Sequence, residues 1–202
     1  TDVGTTLTTQ GDILYRDGSG LQRLAKGSSG QVLKQGTNHP EWGTDQGGKI
    51  GQVLMTTVTS RQSFSSNSWT DITGGFSLTI TPSSTNSKIL WSFDLYTGST
   101  DQYGKVKIVY GDGSDLTTTA IGDSAGNRLR ATVGGIYTGS SDEKSPCSMQ
   151  GWDSPNTTSA TTYKLQGRVS SGSVYINRRS WDTDNSTADT GISSFSLMEV
   201  LY

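Results

Sequence analysis

From Ile50 onward, apolar and polar residues alternate in short runs separated by turn-forming clusters roughly every ten residues, the spacing of half-buried strands in a sandwich or barrel. The pattern predicts ten strands, near 50–60, 69–81, 88–97, 105–111, 116–121, 128–137, 147–153, 162–169, 174–180 and 192–202. Gly74-Gly75 interrupts the second, and a β-bulge is expected there. Ile89, Trp91, Phe93 and Leu95 alternate on one run, Val106, Ile108 and Tyr110 on another, and Tyr163, Leu165 and Val169 on a third, so these are expected on the core face. The last run departs from the rule. Leu197, Met198, Val200 and Leu201 put apolar groups on both faces, so one face needs cover from a neighbouring subunit. Glu199, inside that run, is expected to make a polar pair across the interface.

Residues 1–49 follow a different pattern. Gly11-Asp12-Ile13-Leu14, Gly30-Gln31-Val32-Leu33 and Gly51-Gln52-Val53-Leu54 repeat one phrase about twenty residues apart, the spacing of stacked supersecondary units. The chain between copies is rich in Gly, Ser and Asp, so each unit has one apolar edge too small to form a core alone. The same segment in neighbouring chains is the simplest cover, giving an oligomeric stalk about a common axis. The stalk is expected to end at His39-Pro40-Glu41-Trp42-Gly43, where proline should stop any ladder and the indole cap an apolar end. The expected organisation is therefore a β-rich stalk over 1–49 and a β-sandwich head over 50–202.

Composition strengthens the β reading. Hydrophobic residues are 30% and charged residues 17%, and 26 Gly against 4 Pro favour short strands and tight turns. A net charge of -2 with scattered basic residues excludes a phosphate-binding stripe, so nucleic acid is not an expected partner. No apolar run has the length of a membrane span and no signal segment opens the sequence, so membrane insertion is not expected. Cys147 is the only cysteine, which leaves stability to β-pairing and assembly and fits release by lysis better than secretion.

The run Gly11-Asp12-Ile13-Leu14-Tyr15-Arg16-Asp17-Gly18-Ser19-Gly20-Leu21-Gln22-Arg23-Leu24, then Gly30-Gln31-Val32-Leu33 and Trp42-Gly43, resembles the linker repeats of bacteriophage tail fibres. Thr79-Ile80-Thr81-Pro82-Ser83-Ser84-Thr85-Asn86-Ser87-Lys88-Ile89-Leu90, Val174-Tyr175-Ile176-Asn177-Arg178 and Leu197-Met198-Glu199-Val200 are similar to the C-terminal heads of such fibres, especially in marine phages. The resemblance implies an all-β, jelly-roll-like antiparallel head on a short stalk, a homotrimer, and a place on the virion surface. It also implies a host-surface glycan or outer-membrane receptor as partner, and other virion proteins at the N-terminal side. It carries no active site. Leu14, Leu33, Leu54, Leu197, Val200 and Leu201 are the expected trimer contacts.

Candidate chemistry is sparse. His39, before a proline in a polar turn, reads as a loop residue, and no Ser-His-Asp set or zinc cluster can be built on the sole histidine. Asp182-Thr183-Asp184-Asn185-Ser186 starts like a calcium loop but lacks its glycine and terminal glutamate, and Gly111-Asp112-Gly113-Ser114-Asp115 reads as a hairpin turn. Neither metal nor cofactor is expected, and paired acids on exposed turns do not form a hydrolytic cleft, so the chain reads as a binding protein and not an enzyme. Asn156-Thr157-Thr158 and Asn185-Ser186-Thr187 match the glycosylation sequon and read as loop residues.

Sugars bind by stacking on aromatic rings beside polar groups. Trp91 falls on the core face, whereas Trp181 and Tyr103 lie in polar loops, Trp181 with an anchoring role as the competing reading. If successive strands reverse, the loops near 61–68, 98–104, 122–127, 154–161 and 181–191 share the tip. They carry the receptor candidates Tyr103, Asp123, Asn127, Asn156, Trp181, Asp182, Asp184 and Asn185, while Ser141 and Asp142 are expected at the opposite end.

Overall fold

A computed structural model describes residues 3–45, 49–99, 103–116 and 120–201. The chain divides into two compact units, Thr1–Gly48 and Lys49–Tyr202. The first holds a single helical turn, α1 (Val3–Thr6), and two hairpins. β1 (Ile13–Asp17) pairs with β2 (Gly20–Leu24), and β3 (Gln31–Gln35) with β4 (Pro40–Thr44).

The first two copies of the repeat share one local cause. Gly11 and Gly30 have φ of 93° and 83°, a region open to glycine without strain, and each follows a turn closed by Asp12 N donating to Thr9 O or Gln31 N to Ser28 O, both 3.1 Å. The polar residue after the glycine turns its side chain back: Asp12 Oδ2 accepts from Thr9 N and Gln31 Oε1 from Ser28 N, each at 2.7 Å. The phrase is thus a turn that launches a strand. Asp12 goes further, since the Arg23 guanidinium and the Thr8, Thr9 and Lys26 N–H groups converge on it and hold its carboxyl at about 2. The third copy is different. Gly51 and Gln52 lie inside the first strand of the second unit, β5 (Ile50–Val58), where Gln52 Nε2 donates to Thr81 O and Glu199 Oε2. The period of twenty therefore ends with the second copy. Pro40 also differs from expectation: it opens β4, a position that does not need its missing N–H, and the Trp42 indole donates to Ala25 O at 2.7 Å.

The second unit continues with β6 (Gln62–Phe64), β7 (Thr70–Asp71), β8 (Ser77–Ile80), β9 (Lys88–Ser99), β10 (Gly104–Tyr110), β11 (Val133–Ile136), β12 (Ser145–Asp153), β13 (Thr161–Arg168), β14 (Val174–Ile176) and β15 (Ser193–Val200). One antiparallel sheet has the order β11-β10-β13, with β7 and β8 end to end along the free edge of β13. In the other, β12 pairs with one edge of β9, β15 and β14 lie end to end on its opposite edge, and β5 and β6 follow outside them. The elements thus form eight strand lines, four in each sheet, in the connection order of a jelly roll.

The run predicted over 69–81 is one line, and the run predicted over 116–121 is not a strand among the described residues. Asp71 faces Gln166 and Ser77 faces Lys164, so β7 and β8 run in the same direction and Gly74-Gly75 is a bulge, not a reversal. In place of a strand over 116–121, Asp115 makes an isolated bridge to Val109, and Leu116 and Ala120 are buried as cover; residues 117–119 lie outside the described residues. The run over 128–137 is regular only at β11.

Ile89, Trp91, Phe93, Leu95, Val106, Ile108, Tyr163, Leu165 and Val169 are buried between the sheets. Gly151, opposite Trp91, leaves room for the indole: a Cβ there would lie 2.3 Å from it. Tyr110 is half-buried, and its hydroxyl joins that of Tyr163 on Asp153, at 2.7 and 2.8 Å; burial and that carboxylate push both phenols up.

The last strand corrects the expected interface. Leu197 is fully buried in the unit's own core, so its side chain is not available to a neighbour, and Leu54 is partly buried against that core. Leu201 is half-buried beside Gly51, its N–H donating to Lys49 O, while Val200 faces outward and half-exposed. In the first unit Leu14 is half-buried and Leu33 exposed. Glu199 points inward at the rim of the sandwich, not to a neighbour. Its Oε1 accepts from Ser83 N at 2.6 Å and Ser83 Oγ at 2.7 Å, and its Oε2 from Gln52. Burial raises this carboxyl, but the hydrogen bonds outweigh burial and hold it below the ordinary glutamate value.

β14 and β15 both run antiparallel to β9, so the chain does not reverse between them; residues 177–192 leave the line in its middle and return to it. The break is closed by Asn177, which is fully buried with φ of 64°. Its Nδ2 donates to Val58 O at 2.7 Å and Ser60 O at 3.0 Å, where β5 bends into β6, and its Oδ1 accepts from Ser193 Oγ at 2.6 Å. Its own N–H reaches Tyr96 O and its carbonyl accepts from Gly191 N. One residue, by side chain and backbone together, thus splices three strand lines.

Asn177→Ala should lower unfolding stability by about 2–4 kcal/mol in urea titration, because it strands two carbonyls and a hydroxyl and keeps a strained φ. Asn156→Ala, at the exposed residue with φ of 52°, should cost less than about 1 kcal/mol. Glu199→Gln should lower the melting temperature at neutral pH. Because the folded carboxyl is held below 4.5, its contribution is present above that pH and lost on acidification through the folded value, so the gap between the two proteins should close there.

Candidate binding site

Strand registers assign the loops to ends. Lys49 and Val200 mark the proximal end, and the connections β6–β7, β9–β10, β11–β12 and β13–β14 lie at the other, distal end. The segment 177–192 belongs to neither. It buds from the outer face of the second sheet, where Gly191 lies against the Tyr96 ring.

This bud and its neighbours enclose a polar hollow of about 360 Å³, lined by Arg61, Asp182, Asp184, Asn185, Asp189 and Thr190 among others. Arg61 Nη1 donates to both oxygens of Asp182, at 3.0 and 2.8 Å, and Arg178 stands 3.6 Å from the same carboxylate. Lys144, from the β11–β12 connection, pairs with Asp189, which also accepts from Tyr96 OH at 3.2 Å. The Lys144 bond holds the Asp189 carboxyl below its usual range and pushes the ammonium up. Asp184 makes no ion pair among the described residues. Beside the hollow Trp181 is half-exposed, with the Arg179 guanidinium 5.5 Å from its ring. Arg179 is itself buried and reaches Asp142 Oδ1 at 3.0 Å, while Trp181 N and Ser180 Oγ both donate to Ser141 O. The Trp181 backbone is anchored on Ser141, and its ring is half-exposed beside the Arg179 guanidinium.

Of the eight receptor candidates, Asp182, Asp184 and Asn185 line this hollow and Trp181 adjoins it. Asn185 is committed to its own turn, its Oδ1 accepting from Thr187 N, Thr187 Oγ1 and Ala188 N. Tyr103 is exposed at the distal β9–β10 connection, with Lys105 Nζ donating to its carbonyl. Asp123 and Asn127 are exposed on the excursion between β10 and β11, at the edge of the other sheet. Asn156 lies in the β12–β13 loop at the proximal end, and Ser141 and Asp142 lie at the distal side, against Arg179 and Trp181. Both placements reverse the expectation. The alternating count failed because the predicted runs 174–180 and 192–202 are collinear and the run over 116–121 is not a strand among the described residues.

Arg61, Lys144, Asp189 and Tyr96 were not legible as site residues. Arg61 and Asp182 are 121 positions apart, and nothing local announces the pair. The only signal was the sign change within one loop, from Arg178-Arg179 to the acids at 182–189. Gly111–Asp115 is the expected turn, with Asp112 Oδ1 accepting from Ser114 N and Oγ. The His39 ring lies 5.4 Å from that of Tyr15. Cys147 is buried and its thiol is pushed up to about 12, which removes it as a nucleophile. Among the described residues no three of His, Cys, Asp and Glu converge as metal ligands.

Arg61→Ala should speed amide exchange across 178–191 while changing global stability by less than about 1 kcal/mol, because an exposed ion pair holds the bud and the core does not depend on it. Hydrogen-exchange mass spectrometry with urea titration checks both halves.

No family model and no curated protein matches the chain. Solved structures with some similarity include that of the infectious bursal disease virus Gx strain, at 14% identity over 91% of this chain and 43% of that chain, with a TM-score of 0.36. Another is the infectious bursal disease virus VP2 subviral particle, at 13% identity over 90% and 48%, with a TM-score of 0.31. The chain spans less than half the length of either.

Proposed function

We propose that this chain is part of a bacteriophage tail fibre, a homotrimer on the virion surface whose β-sandwich head binds a host-surface glycan through the hollow beside Trp181. The observation that carries the reading is the 177–192 bud. Asn177 closes the strand line at its root, and the residues beyond it line an outward hollow with carboxylates, an arginine and a half-exposed indole beside it. That is the combination that grips sugar hydroxyls and an apolar ring face. The resemblance of the hairpin repeats to fibre linkers supports the stalk, and exposed Leu33 leaves an apolar edge for neighbouring copies or other virion proteins to cover. Binding is favoured over hydrolysis because Asp182 and Asp189 are committed to cations, and Asp189 is shifted in the direction opposite to a general acid.

The test is adsorption of the labelled full chain to a panel of bacterial envelopes, with soluble envelope glycan as competitor. Trp181→Ala with Asp184→Ala should reduce adsorption about tenfold or more at an unchanged near-ultraviolet spectrum, and Asn156→Ala should leave it intact. No adsorption to any envelope would make the chain a purely structural fibre segment, and release of reducing ends would make it a depolymerase.

A further inference from the structure

We infer that the outer face of the second sheet is an interface between copies of this chain, with the edge strand β5 of one copy seated in a hollow beside Trp152 of the next. The inference rests on the oligomeric fibre reading and names the surface that would join the subunits.

The registers place Trp152 opposite Leu90, Leu90 opposite Met198 and Met198 opposite Val53, so one apolar row crosses four strands on the solvent side. Ile50 and Val200 form the neighbouring row and Met55 extends the patch along β5. Ile50, Val53, Met55 and Trp152 are 47%, 58%, 63% and 43% exposed. Together the patch presents roughly 500 Å² of apolar surface, at the upper end of what a monomer shows. The outer face of the other sheet lacks such a patch at its centre: Lys164 and Gln166 both reach Asp71, and Thr79 bonds Thr162. The apolar face is therefore a feature of one side, not of the composition.

The edge adds a second demand. β5 is nine residues long and is the outermost strand of its sheet. Ile50–Val58 holds no charged residue and no proline, the usual guards of a free edge.

The shape points to a second copy, and a ring of copies divides the patch between two neighbours, one covering the β5 edge and the other the hollow. The halves of the patch differ in form. β5 carries outstanding side chains, whereas Lys88, Leu90, Trp152 and Val200 line a hollow of about 380 Å³. Like halves would leave the hollow unfilled, so the edge of one copy meets the hollow of the next, and about the three-fold axis of the fibre reading this head-to-tail contact closes as a ring. Lys88 does not oppose burial, because its ammonium already donates to Ser154 Oγ at 2.8 Å and lies 4.1 Å from the Trp152 ring centre.

Sedimentation of the full chain at micromolar concentration tests this. The unmodified protein should be a closed oligomer. Val53→Lys and Trp152→Lys should each shift it to monomer, weakening association about a hundredfold, while Thr57→Lys, on the same strand and face but opposite Ser194, should not. Near-ultraviolet spectra confirm that the variants stay folded. Mixing Val53→Lys with Trp152→Lys should restore a dimer, because that pair retains one intact edge and one intact hollow. A monomeric unmodified protein would overturn both the interface and the oligomeric reading. An oligomer untouched by either lysine would overturn the interface alone, and a mixture that stays monomeric would overturn the edge-in-hollow arrangement. Glycan adsorption by the folded monomeric variants reads the binding proposal separately.

Discussion

The sandwich depends on a buried amide that stands where a strand is interrupted. A gap in the middle of a buried sheet leaves backbone groups without partners, and each such group costs about as much as a lost hydrogen bond. Asn177 meets that demand with every polar group it has: both side-chain donors, its side-chain acceptor, and its own N–H and C=O. Its left-handed backbone turns the chain out of the sheet, and asparagine is among the few residues that tolerate it. With the break repaired in this way, the fold can carry an excursion in the middle of a line and keep an intact core beneath it.

Carboxylates do comparable work elsewhere. Asp12 gathers three N–H groups and a guanidinium at the start of the first hairpin, Glu199 ties the β8–β9 loop to the first and last strands of the head, and Asp153 holds two tyrosines. Asp12 is satisfied within its own hairpin, whereas Asp153 and Glu199 tie together separate strands, cross-links that a one-cysteine chain cannot make with disulfides. The acids of the 178–191 bud are set differently. They are more exposed, they pair with Arg61 and Lys144, and they surround open space. The inward carboxylates and those of the bud differ by burial and by what lies in front of them, not by residue type.

The second sheet divides its outer face along the strand direction. Near the proximal end the cross-strand row is Trp152, Leu90, Met198 and Val53; one repeat further the row is Gln150, Ser92, Ser196 and Met55, with Ser92 and Ser196 bonded at 2.7 Å; beyond it Ser148 donates to Asp94. The bud follows, over Tyr96. Polarity thus rises over a few residues, from an apolar surface at one end of the sheet to a charged one at the other.

Much of the core was legible from the sequence, because alternation has a period of two and one face must be dry: Ile89, Trp91, Phe93, Leu95, Ile108, Tyr163, Leu165 and Val169 are buried as their spacing requires. The hairpin turns and the bulge at Gly74-Gly75 were also legible, since glycine at such places reports a local backbone need. What the spacing of runs does not encode is collinearity. Whether two runs reverse or continue is decided by which third strand they share, so only the pairing of β14 and β15 with β9 merged two of the ten runs, and with no strand over 116–121 among the described residues eight lines remain and the loops move. The same limit governed the last strand, where apolar residues on both faces were visible but their directions were not. Leu197 turned inward, Met198 turned out, and Glu199 found Ser83 116 residues away. Alternation is a local property set by the backbone, whereas register and long-range charge pairing are properties of the closed sandwich, and these alone brought Arg61, Lys144 and the bud together.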